Sequence, residues 1–215
     1  MFWALTVSLC AVFIAGGNAL NCTECQADGW TGCDGVVNAC AAGQKCVSAA
    51  SELTEIDYNK EKHVTKKVTR SCADAGFCNT ELSFNFKHAA WKIRTGCDQA
   101  EGPAISPEAS QNDRECVGCI AVPWLCDKTV HCRGEEVMCI KVVERVAGNI
   151  MVSKGCATRS VCRQGVNISD VVGPVLRGEV FCCEGNLCNG AGGDGHGVPL
   201  IPLMAFPLLV FQVFA

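Results

Sequence analysis

Two Cys-x-x-Cys pairs, Cys22/Cys25 and Cys116/Cys119, have the most obvious chemical potential in this chain. At that spacing two thiolates bind zinc or cycle between dithiol and disulfide. Zinc would require further thiolates or a spaced histidine pair, and a redox pair would require a strand–helix–strand frame. His63, His88, His131 and His196 stand alone, in no His-Glu-x-x-His or similar arrangement. Serine and aspartate are plentiful, but no Gly-x-Ser-x-Gly elbow is present. The glycines of 190–197 lack the Lys-Ser/Thr of a phosphate loop. No catalytic residue, metal ligand or cofactor is expected, and the chain reads as a non-enzyme.

The cysteines are better read as bridges, because both ends of the chain look like secretory addresses. The chain has 215 residues, 19 cysteines, 49% hydrophobic residues and a net charge of −4. That acidic balance argues against a nucleic-acid partner. Residues 1–19 are apolar and close on Gly17-Asn18-Ala19, a signal peptide with a small-x-small cleavage site. Its removal takes Cys10 away and leaves 18 cysteines. Residues 198–215 are uncharged and apolar, and Pro199, Pro202 and Pro207 make them a poor helix. A small, polar stretch, Asn189 to Gly197, precedes them. This pattern is expected to be a GPI-attachment signal over 190–215, removed on attachment at Asn189 or Gly190. Between the two ends the ordinary apolar residues are sparse, so disulfides must substitute for a large core.

The cysteines repeat. From Cys22 to Cys97 the gaps run 2, 7, 6, 5, 25, 5 and 18; from Cys116 to Cys182 they run 2, 6, 5, 6, 16, 5 and 19. The second copy continues with Cys183 and Cys188, where the first has Asp98 and Pro103. Each copy therefore keeps an even number of cysteines. The expected organisation is a first domain over 20–97, a linker over 98–114 and a second domain over 115–189. The linker has two prolines and no large apolar run, so it should be extended, mobile and protease-sensitive. β-Prone runs predict hairpins: Val47 to Arg70 turning near Asp57–Lys60, and Ile140 to Cys156 turning at Gly148-Asn149. No stretch shows sustained helical amphipathicity, so the fold class expected is all-β.

Leu20-Asn-Cys-Thr-Glu-Cys25 resembles the opening of Ly-6/urokinase-receptor (three-finger) domains, and Cys182-Cys-Glu-Gly-Asn-Leu-Cys-Asn189 resembles their closing motif. The cysteine spacing between them is similar to the family's throughout. The resemblance implies two tandem three-finger domains, the first lacking the last disulfide. It also implies a bridge order: Cys22–Cys46, Cys25–Cys33, Cys40–Cys72 and Cys78–Cys97, then Cys116–Cys139, Cys119–Cys126, Cys132–Cys156, Cys162–Cys182 and Cys183–Cys188. Sequence alone could not choose these pairs. The missing pair could leave the segment after Cys97 free to pack against the second domain.

In such a fold the bridges cluster at one end and the finger tips are left to bind. Trp124 in Ala121-Val-Pro-Trp-Leu125 is a candidate contact anchor. Lys60, Lys62, Lys66, Lys67 and Arg70 make a candidate basic docking finger, although Glu52, Glu55, Asp57 and Glu61 share its hairpin. Trp91 reads equally well as core or interface. Asn21-Cys-Thr and Asn167-Ile-Ser are glycosylation sequons. Asn167 falls in the gap Cys162 to Cys182, read as a third finger. The expected protein is displayed on the outer leaflet of the cell membrane by a GPI anchor, where its fingers bind an extracellular protein ligand. The alternative is a secreted protein resembling gamma-type phospholipase inhibitors.

Overall fold

The computed structural model describes residues 20–98, 102–121, 126–164, 169–173 and 176–190. Residues 1–19 and 191–215, Trp124 and Asn167 lie outside them. In the first module β1 (Asn21–Asp28), β2 (Val36–Ala39), β3 (Gln44–Ile56) and β4 (Lys62–Asp74) precede a 3-10 turn at Ala75–Phe77; β5 (Glu81–Asn85) and β6 (Ala89–Cys97) follow. The second module has β7 (Gln111–Val117), β8 (Cys119–Ala121), β9 (Thr129–Arg133), β10 (Met138–Val146), β11 (Asn149–Ala157), α1 (Arg159–Gln164), α2 (Ser169–Val172) and β12 (Glu179–Cys183). The fold is all-β and disulfide-rich, with long hairpins projecting from the bridges.

Both predicted hairpins form. β3 and β4 pair from Gln44↔Asp74 to Ile56↔Lys62, and the turn lies over 57–61. β10 and β11 pair up to Val146↔Asn149, so the central turn residues are Ala147 and Gly148, one position earlier than expected. Both have positive φ, 48° and 82°, the two-residue turn that suits strand twist. The gap from Cys162 to Cys182 departs further from expectation. α1 runs across Cys162 and α2 lies within the gap, and they turn Val161 and Val171 into the core. Burying one side of each short helical turn outweighs the β-propensity of the valines.

The two modules share one sheet, in the order β12-β10-β11-β5-β6-β3-β4-β1-β2, with β8 beside β11. The joint is β5 on β11, with Asn85↔Cys156 and Phe84↔Ala157. It holds because Gly155 has no side chain: a Cβ there would lie 1.9 Å from the Asn85 carbonyl oxygen. One hydrophobic cluster spans the joint. Val47, Leu82, Phe84, Phe86 and Ile93 of the first module meet Ile140, Val142, Val161, Val171 and Leu176 of the second. Trp91 is partly buried against that cluster and stacks on Phe84 at 5.0 Å.

β7 takes up the last four residues of the segment 98–114 read as a linker. Its described part, 102–110, is tied down to both modules. Arg94 donates to the Ala104 carbonyl at 3.1 Å and Ser106 to Glu81 at 3.2 Å. Glu108 pairs with Lys62 of the first module at 3.9 Å and with Arg133 of the second. The segment after Cys97 stays on its own module at first: the Asp98 N–H donates to the Cys46 carbonyl at 2.9 Å, and its carboxylate lies 3.8 Å from Lys45. In the second module the position that Asp98 fills here is occupied by Cys183, paired in register with Cys139.

Candidate functional site

All eighteen described cysteines are bridged, so no thiolate remains for zinc or redox chemistry among them. The pairs are Cys22–Cys46, Cys25–Cys33, Cys40–Cys72 and Cys78–Cys97. The second module has Cys116–Cys139, Cys119–Cys126, Cys132–Cys156, Cys162–Cys182 and Cys183–Cys188. The closing Asn189 is 1% exposed and braces this bridge cluster. Its Oδ1 accepts from the Val117 N–H at 3.0 Å, and its Nδ2 donates to the carbonyls of Val117 (3.0 Å) and Ile140 (2.9 Å).

The five basic residues of the first module are not gathered into one patch. Side chains alternate across a strand, so Lys62 and Lys66 share one face of β4 while Lys67 takes the other. Lys66 is 3.9 Å from Glu52 and sits over the Trp30 ring at 4.2 Å. Lys62 is held by Glu108. Arg70 is half-buried, with Nη2 3.6 Å from Cys46 Sγ, and Lys60 is in the turn with φ 66°. In the same turn Asp57 lies 3.5 Å from His63. The Glu61 N–H, and then His63, hold the Asp57 carboxyl below its ordinary range.

The strand register assembles a different site. One face of the joined sheet carries the core. On the other, Lys66, Glu52, Lys92 and Ser83 form a row across β4, β3, β6 and β5. Glu52, Lys92 and Ser83 of this row floor a cleft of about 1380 Å³ that runs across both modules. Trp30, its indole N–H donating to the Ser51 carbonyl at 3.1 Å, forms one wall. The linker around Pro107, the loop Arg133 to Val137, and α1 form the others.

Where the modules meet, Ser83 Oγ donates to Glu136 Oε1 at 2.5 Å, and the Arg133 N–H donates to Oε2 at 3.0 Å. Glu136 is only 4% exposed, and burial pushes its carboxyl above the usual range against the pull of Ser83 and Arg133. The Thr158 N–H donates to the Ser83 carbonyl at 2.9 Å, and Ser160 Oγ to the Glu81 carbonyl at 2.6 Å. At the rim Arg159 pairs with Glu184 and holds that carboxyl low. Lys87 and Arg163 line the cleft without an ion pair among the described residues, and the charge of Lys92 acts on Glu136. The site can therefore take a ligand with exposed anionic groups. Sequence reasoning did not find it, because its residues come from both modules and only the β5–β11 joint brings them together.

Residues 114–189 match the family model described as snake toxin and toxin-like protein. The first module lies outside that match. No curated protein matches the chain. Among solved structures, the crystal structure of mouse TEX101 is similar, with a TM-score of 0.30 and 15% identity, covering 78% of this chain and 100% of that one. That likeness is too low to argue from. The bridge framework, the all-β fold and the match over 114–189 together support a place in the three-finger (Ly-6/urokinase-receptor) family.

Proposed function

We propose that this is a non-enzymatic extracellular binding protein of two three-finger modules, held to the outer leaflet by a GPI anchor, whose ligand is a protein seated in the cleft between the modules. The observation that carries this reading is the cleft itself: it is lined from both modules and holds the cations Lys87, Lys92 and Arg163. Concave sites at domain junctions are where ligands most often bind. The anchor is supported by the small, polar then apolar run over 190–215. Of the two candidate attachment residues, Gly190 suits the reading better, because Asn189 is engaged inside the fold.

Proximity labelling around the full chain on cells tests the site. Wild-type protein should mark a partner that Lys92→Glu and Arg163→Glu both lose. An unchanged set of labelled proteins would remove the cleft as the binding surface. Treatment with a phosphatidylinositol-specific phospholipase should shed the protein. A chain already free in the medium and able to inhibit a phospholipase would instead favour the secreted inhibitor reading.

A further inference from the structure

β2 ends the sheet, and its outer edge meets no other strand among the described residues. All four of its residues, Val-Val-Asn-Ala, are exposed and uncharged; Val36 is 67% and Val37 62% exposed. An exposed, uncharged, apolar edge is a template for pairing with another chain. Natural edges usually carry a charge, a proline or a cover, and this strand has no charge or proline.

The register shows where a cover would come from. The Cys40 N–H donates to the Leu20 carbonyl at 2.8 Å, which sets the phase of the β1–β2 ladder. By alternation, Val37 and Ala39 point their N–H and C=O groups outward, away from β1. The same two residues sit opposite Thr23 and Asn21. In such non-hydrogen-bonded pairs the facing side chains are closest. Asn21 and Thr23 are the acceptor and hydroxyl positions of the sequon Asn21-Cys-Thr. Asn21 is exposed, and its amide makes no hydrogen bond among the described residues. It lies beside Ala39 and diagonal to Val37, a separation of about 7–8 Å.

We infer that Asn21 carries an N-linked glycan whose first sugars lie over Val37 and Ala39 and shield the free edge of the sheet. The inference rests on the secretory route of the proposed function but not on its ligand site. A bulky hydrophilic group rooted one strand in from the edge blocks a second copy from adding its own β2.

The test uses the full chain recovered from mammalian cells or their medium. Peptide mass analysis with and without glycosidase should find Asn21 occupied, and light scattering should find a monomer at all concentrations. Asn21→Gln and Thr23→Ala, each of which destroys the sequon, should show an apparent mass rising with concentration towards twice the monomer's or beyond. Adding Val37→Lys should restore the monomer. If neither variant is secreted, glycosidase trimming of folded wild-type protein should produce the same rise. An unoccupied Asn21 would overturn the inference, and so would stripped protein that stays monomeric.

Discussion

Ser83 Oγ and Glu136 Oε1 lie 2.5 Å apart across the joint between the two modules, a hydroxyl from β5 donating to a buried carboxyl just before β10. The cleft floor ends at this contact.

Glu136 makes stability depend on pH. Burial raises its folded-state pKa above the unfolded value, so folding favours the protonated form. Its stabilising contribution is fully present below the unfolded value and is lost as pH rises through the folded one. Denaturant melts across that range should show wild-type stability falling relative to Glu136→Gln, which cannot titrate and can hydrogen-bond to Ser83 and Arg133 through its amide. Asp57 and Glu184 run in the opposite sense but are present in both proteins and cancel in the comparison. Glu136→Ala leaves Ser83 unpaired and should cost about 1–3 kcal/mol at low pH, where the wild-type carboxyl is protonated. Parallel pH profiles for wild type and Glu136→Gln would show that the carboxyl does not titrate in this way.

Gly155→Ala should part the modules. The added methyl would meet the Asn85 carbonyl, so β5 and β11 must separate. Overpacking of this kind costs about 1–3 kcal/mol. Calorimetry should resolve two transitions where wild type shows one, and the first module should become sensitive to protease at the linker.

Asn189→Ala should destabilise the second module through its backbone partners. Removing the amide strands the Val117 N–H and the Ile140 carbonyl inside the bridge cluster, at about 1–3 kcal/mol for a buried group left unpaired. Surface display should fall with the melting temperature, although all nine bridges remain.

Ala147→Asn should do the reverse. Alanine at φ 48° is held in a conformation that costs an L-residue about 1–2 kcal/mol and that asparagine tolerates better. The variant should melt a few degrees higher by circular dichroism, with its bridges unaltered.

Much of the frame was legible from local signals. Each hairpin was visible as two β-prone runs around a turn. The turn at Ala147-Gly148 was misplaced by one residue, since Gly-Asn is the stronger turn dipeptide and only the ladder shows that Asn149 is already paired. The helices around Val161 and Val171 were hidden because one turn of helix carries too few residues for a period to show. The row Lys66–Glu52–Lys92–Ser83 was beyond reach for another reason. Its members come from four strands, and alternation along each strand splits the basic residues that look contiguous in sequence.

Asn189 also has a mechanical role. It is the penultimate described residue, and it grips Val117 and Ile140 while its Nδ2 reaches the Gly155 carbonyl at 3.4 Å. Gly155 in turn abuts Asn85 of the other module. Tension applied to the chain beyond Gly190 therefore enters the fold at one side chain and reaches the intermodular joint through a single further residue. The Cys183–Cys188 bridge, adjoining Asn189 in the chain, shares that load.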